Sequence, residues 1–279
     1  MKFAFYTLGC KVNQYETQAM QQMLLADGHT LGEFDEICDG YIINTCTVTA
    51  VSDKKSRNAI RRVRRLNPNA VVGVCGCYAQ SAPDEVRALG VDVMVGTADR
   101  EAFVLQMEQA AQDKSRHVHW EKVEPSGLPR AFEQLPAGGL AARTRALLKI
   151  EDGCNSFCTY CIIPYARGRV RSLPPEQVLA EACRLGAAGV HEIVLTGIEI
   201  ASYGRDLAPR LTLTDLLEQL LGALPDIRFR LGSLDPRIID ETFCERLRGF
   251  DNLALHFHLS MQSGCDSVLE RMGRRYTSA

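Results

Sequence analysis

Apolar positions along the chain fall into two series of short strands alternating with amphipathic helices, separated by a stretch without period. Residues 2–8 (KFAFYTL) read as a strand, and GCKVNQYETQAMQQMLLADG supplies a turn and a helix closing near Gly28. The unit recurs in YIINTC, a helix from about Ser52 to Leu66, the apolar run AVVGVCGC, a helix beginning near Pro83, the strand VDVMVG and a helix opening at Asp99. Such alternation predicts a small parallel sheet covered by helices, a Rossmann- or flavodoxin-like α/β domain over residues 1–113.

Over residues 114–142 the period is lost, and EKVEPSGLPRAFEQLPAGGL is rich in proline and glycine, as expected of a linker. From 143 to 279 the alternation resumes with RALLKIEDGC, a helix after Pro174 and Pro175, HEIVLTG, a helix through TLTDLLEQLLGAL, FRLGSLDP, a helix from about Ile238, and HFHLSMQSG. Four βα units do not close a barrel, and the chain ends at MGRRYTSA just after a helix has started at Cys265. The expectation is a truncated, partial (β/α) TIM-like barrel.

Composition narrows the chemistry. The chain has 279 residues and a 46% hydrophobic fraction, typical of globular proteins, and its longest apolar runs are too short to span a bilayer. MKFAFYTLGC lacks a signal-peptide layout, so a cytoplasmic protein with no membrane partner is expected. A net charge of −2 gives no global attraction to nucleic acid, although Lys54 to Arg65 and Arg167 to Arg171 concentrate positive charge locally. Eleven cysteines are many for a cytosolic chain, in which disulfides are rare, and they direct attention to metal or redox chemistry.

The spacing CxxxCxxC at Cys154, Cys158 and Cys161 stands immediately after a predicted barrel strand, where active sites of such folds collect. Thiolates suit iron–sulfur clusters or zinc, and this loop supplies three of them with no nearby histidine. On a four-iron cluster one iron would remain open. An open iron lets the amino and carboxylate groups of S-adenosylmethionine chelate it, so that one electron can enter the sulfonium and release a 5′-deoxyadenosyl radical. The competing reading is a zinc knot completed by a distant ligand.

Two stretches carry a family likeness: GCNSFCTYCIIPYARGRVRS resembles the cluster loop of radical S-adenosylmethionine methylthiotransferases, and TLGCKVNQYET resembles the start of their tRNA-modifying branch. The resemblance extends over essentially the whole chain. It implies a radical SAM barrel at residues 143–279, lacking the rest of that barrel and the RNA-binding β-barrel domain that usually follows. It also implies a second [4Fe–4S] cluster on three N-terminal cysteines, here Cys10, Cys46 and Cys77. Each of these closes a predicted strand, and parallel strand ends converge on one rim, which gives the trio independent support. Cys75 lies on the other pleat face and is read as packing; Cys38, Cys183, Cys244 and Cys265 show no partner spacing and are read as small hydrophobes.

The activity implied is insertion of sulfur and a methyl group at C2 of N6-threonylcarbamoyladenosine at position 37 of tRNA, with two molecules of S-adenosylmethionine. Alternatives are another tRNA adenosine, a ribosomal-protein aspartate, or a non-catalytic, metal-stabilised RNA-binding module. A reductase or flavodoxin-type electron donor and a sulfur donor would be partners. In the superfamily an aromatic at the position of Tyr160 approaches the cofactor adenine. Gly197 and Glu199 occupy the next strand end, where the family more usually carries other residues near Glu199. Ser233, Asp235 and Gln262 add polar lining at the third and fourth strand ends. His256 and His258 alternate along the fourth strand and so share one face, as barrel-interior ligands or, the preferred reading, hydrogen-bonded core residues. For RNA phosphates the candidates are Arg167, Arg169 and Arg171, which an extended segment would project to one side, and Lys54, Arg57 and Arg61 on the basic helix.

Overall fold

The computed structural model describes residues 1–113, 120–123, 131–137 and 144–278. The chain divides into two compact units, Met1–Pro129 with Tyr165–Arg167, and Arg130–Pro164 with Gly168–Ala279.

The first unit runs β1 (Lys2–Thr7), α1 (Lys11–Ala26), β2 (Thr30–Gly32), β3 (Gly40–Thr45), α2 (Ala50–Leu66), β4 (Val71–Gly76), α3 (Cys77–Ser81), α4 (Pro83–Arg87), β5 (Val93–Val95), α5 (Arg100–Gln112) and β6 (Trp120–Lys122). Its sheet has the order β2-β1-β3-β4-β5-β6 and every pairing is parallel. All six residues of β3 are buried, as expected where helices cover both faces of a parallel sheet. One face packs Ile43, Val72 and Val74 against Ile60 and Val63 of α2, and the other packs Phe3, Ile42 and Cys75 with Met20, Phe103 and Met107. A fully buried aliphatic side chain of this kind is worth about 1.5–3 kcal/mol. Gly73 lies where a Cβ would overlap Met107 and Phe103, which explains a residue without side chain in the middle of β4.

Two features differ from the sequence expectation. The expected linker contains β6, which adds a sixth strand beside β5; three residues in a Pro/Gly-rich stretch carry too little alternation to announce it. The rest of that stretch, apart from residues 131–137, lies outside the described residues. The helix expected from Pro83 is a five-residue turn preceded by another, α3, which begins at Cys77 directly after the strand.

The second unit contains β7 (Arg145–Lys149), β8 (Glu151–Asp152), β9 (Arg171–Ser172), α7 (Pro175–Ala187), β10 (Glu192–Thr196), α8 (Leu213–Ala223), β11 (Arg228–Leu231), β12 (Ser233–Leu234), α9 (Glu241–Leu247), β13 (His258–Leu259) and α10 (Asp266–Arg271); α6 (Ile163–Ala166) lies between β8 and β9. Strands β11, β10 and β7 form a parallel sheet in that order, and β12 pairs in parallel with β13. Thr212 caps α8 in a reciprocal box with Asp215, fixing where that helix starts. The expected fourth strand is reduced to two residues, and His256 and His258 are exposed rather than in the core. No helix among the described residues is long and apolar enough to cross a membrane.

Candidate metal centres

Cys10, Cys46 and Cys77 follow β1, β3 and β4, three neighbouring strands, so the sheet itself delivers them to one rim. Cys10 caps α1, its carbonyl accepting from Gln14 N at 3.1 Å, and Cys77 opens α3. Gly9, at φ +103°, lies so close that a Cβ there would stand 2.8 Å from Cys46 Cβ. A side chain at residue 9 would push the first two cysteines apart. Asn13 ties the same loops together, donating to Leu8 O at 2.7 Å and Thr45 O at 2.9 Å while its Oδ1 faces Cys10 Sγ at 3.7 Å. Cys75, one pleat away, is fully buried in the opposite core.

Behind this trio is a buried charge network. Glu16, Arg100 and Arg167 have no exposed surface. Glu16 accepts from Arg167 Nη1 at 2.9 Å and from Arg100 Nη2 at 3.0 Å, and Arg167 Nη2 donates to Asn13 Oδ1 at 2.8 Å. Arg167 also donates toward the Cys77 thiol. Burial pushes that thiol up to about 11, with the Arg167 charge pulling the other way.

The second trio lies on one loop. Gly153, at φ +82°, sits against the backbone of Arg169 where a Cβ would overlap the carbonyl, and Cys154 N donates to Gly168 O at 2.9 Å. Phe157 takes a left-handed φ of +47° with the Arg169 guanidinium over its ring at 4.5 Å. Two sulfurs already receive donors: Ser156 N reaches Cys154 Sγ at 3.4 Å and Arg274 Nη1 reaches Cys158 Sγ at 3.3 Å. Burial raises the Cys154 and Cys161 thiols above the ordinary range, so at neutral pH a metal must displace their protons.

Beneath this loop Glu151 is fully buried, and its Oε2 accepts from Glu199 N at 2.7 Å. Burial holds its carboxyl well above the usual range, and among the described residues Oε1 has no hydrogen-bond partner. Glu199, half-buried and also raised by burial, accepts from Ser202 Oγ. A cleft of about 110 Å³ is lined by Cys158, Ser202, Asp235, Arg237 and Arg274 among others. Of the residues expected to bind a cofactor, Asp235 lines it, holding Arg237 at 2.8 Å and Arg274 at 3.3 Å. Ser233 is exposed and bonded to His258 Nδ1 at 2.9 Å, Gln262 is exposed at φ +65°, and Tyr160 is 52% exposed.

The expectation that Arg167, Arg169 and Arg171 project together is corrected. Arg167 and Arg171 are buried, the latter 3.5 Å from Asp152, and Arg169 alone of the three faces solvent. On α2, Arg57 is engaged by Tyr78 at 2.9 Å, whereas Lys54 and Arg61 are exposed. Cys183, Cys244 and Cys265 are exposed rather than packed; Cys38 is buried. The residues missed in the sequence are Asn13, Glu16, Glu151, Arg100 and Arg274. Asn13 and Glu16, three apart on the buried face of α1, were the available signal: polar groups where the helix period calls for apolar ones.

Among the described residues no three His, Cys, Asp or Glu side chains focus on a point that could hold a single metal ion. A four-iron cluster holds its thiolates apart on separate corners, and a loop that presents three cysteines with N–H donors at two of the sulfurs suits such a group.

Residues 2–96 match the uncharacterized protein family UPF0004, and residues 148–279 match the radical SAM superfamily. A threonylcarbamoyladenosine tRNA methylthiotransferase MtaB of Bacillus subtilis (strain 168) is 44% identical over 98% of this chain and 60% of its own length. The protein of the same name from Aquifex aeolicus (strain VF5) is 36% identical over 99% of this chain and 67% of its own. The chain belongs to the radical SAM methylthiotransferase family. Membership of the superfamily implies a [4Fe–4S] cluster and S-adenosylmethionine. The chain spans 60–67% of the length of these methylthiotransferase relatives. A solved radical S-adenosylmethionine methyltransferase, TsrM from Kitasatospora setae, shares the fold at TM-score 0.58 and 17% identity, covering 99% of this chain and 64% of its own.

Proposed function

We propose that this chain carries the catalytic core of an enzyme that methylthiolates C2 of N6-threonylcarbamoyladenosine at position 37 of tRNA. The observation that carries the reading is the pairing of two separate three-cysteine sites in a chain whose relatives bear that activity in their names. The radical site would be Cys154, Cys158 and Cys161, and the cluster bound there supplies one-electron cleavage of the sulfonium cofactor. A second cluster would be held by Cys10, Cys46 and Cys77. Arg274 and Ser156 would stabilise the thiolate charge at the first site, and Asp235 with Arg237 would provide polar lining for the amino-acid part of the cofactor. Glu151, by fixing the backbone at Glu199, would keep the loop after β10 in place. Tyr160, Gly197, Glu199, Ser233 and Gln262 are further candidates for cofactor contact, and Arg169, Lys54 and Arg61 for RNA phosphates. A flavodoxin-type or other reductase, a sulfur donor and a cytoplasmic location complete the proposal.

Relatives at 31–33% identity are named tRNA-2-methylthio-N(6)-dimethylallyladenosine synthase, which favours a second reading with that adenosine as substrate. One experiment separates the two. Expression in a strain deleted for its own enzymes, followed by mass spectrometry of tRNA nucleosides, should give the methylthio form of threonylcarbamoyladenosine. Appearance of only the dimethylallyl product supports the second reading, and neither product from chain of full relative length refutes both.

A further inference from the structure

Two guanidiniums share one carboxylate in the Glu16–Arg100–Arg167 network, and none of the three groups has exposed surface. A buried guanidinium is costly to desolvate, and anionic groups placed against it offset that cost. Besides Glu16, the Arg167 guanidinium donates to Asn13, whose Oδ1 also faces Cys10, and lies against the Cys77 thiol. A buried cation therefore borders the cysteine trio. Three thiolates on a four-iron cluster make a net-negative group, and that group becomes more negative when an electron is added.

We propose that Arg167, with Arg100 and Glu16, is a positioning and tuning device for the N-terminal cluster: a buried counter-charge that donates to the Cys77 thiolate and sets the cluster's reduction potential. The inference rests on the reading that Cys10, Cys46 and Cys77 hold a cluster. Arg100 is held by Glu16 and by Ala98 O at 2.9 Å, so it fixes the carboxylate that in turn aims Arg167. Thr97 Oγ1 donates to Ala166 O at 2.9 Å, clamping the backbone beside Arg167. A cation at hydrogen-bond range favours the reduced state over the oxidised one, because the interaction grows with the added negative charge.

The test uses the full chain with Cys154, Cys158 and Cys161 replaced by alanine, so that one cluster remains, reconstituted without oxygen and titrated with spectroscopic detection. Arg167→Gln should lower the potential, making reduction about tenfold less favourable, equivalent to about 59 mV for one electron. Glu16→Gln removes the opposing charge at constant shape and should raise it. Arg167→Lys should restore most of the loss. Opposite shifts in the two glutamine variants cannot come from loosened packing. Failure of the background protein to bind iron would overturn the cluster reading itself. Bound iron with Glu16→Gln indistinguishable from the background would overturn this inference alone, and that variant decides the matter if Arg167→Gln does not fold.

Discussion

The two cysteine trios solve one problem by opposite routes. Cys154, Cys158 and Cys161 lie within eight residues, and their geometry comes from a loop fastened by Gly153, Arg169 and Arg274. Cys10, Cys46 and Cys77 come from three strands, and their geometry comes from the sheet. The loop trio is partly open to solvent and beside a cleft; of the sheet trio, Cys46 and Cys77 are buried and only Cys10 is exposed. A local loop can be re-aimed by a cofactor, whereas a site made of strand ends is as rigid as the core beneath it.

The largest expected contrast is functional. Cys158→Ala should abolish formation of 5′-deoxyadenosine from S-adenosylmethionine, measured by liquid chromatography. Cys77→Ala should keep that partial reaction, lose about half the iron and form no methylthiolated nucleoside; equal iron loss from Cys75→Ala would break the assignment. Next in size is the network behind the sheet trio. Glu16→Leu leaves two buried guanidiniums without their shared carboxylate and should cost about 3–5 kcal/mol in urea unfolding. Asp240→Ala, which removes only an exposed cap of α9, should cost about 1 kcal/mol.

Glycine substitutions probe each scaffold in turn. Gly153→Ala and Gly9→Ala both force a side chain into a positive φ, about 1–3 kcal/mol each, and Gly153→Ala should be the worse because it meets backbone rather than a thiol. Differential scanning calorimetry of the two proteins gives the comparison.

The smallest effect is a pH dependence. Burial raises the Glu151 carboxyl well above the usual range, so between the unfolded and folded values the folded protein keeps a proton that the unfolded chain releases. Stability therefore falls as pH rises from the unfolded value through the raised folded one. Glu151→Gln should remove this fall and leave the variant the more stable of the two at neutral pH. Urea midpoints with the same slope against pH in both proteins would contradict it.

How much of this the chain announced depended on distance along it. The CxxxCxxC loop was legible because ligand spacing is local. The sheet trio was legible because β-α alternation predicts where strand ends gather, even with no motif between Cys10 and Cys77. Arg167 was misread as an RNA contact because its partner Glu16 lies 151 residues away, and no period links them. Arg171 failed in the same way, since extended backbone alone does not say which side a sheet will cover. α3 and β6 were too short for any period to register.

Residues Tyr165–Arg167 belong to the first unit although the chain on either side of them belongs to the second. The gene therefore has no single cut that yields the first unit entire: a fragment ended before residue 165 forfeits a cation from its interior and keeps the carboxylate meant for it. Recombination that swapped the N-terminal module between relatives would have to carry this distant tripeptide along, or compensate for its loss at Glu16.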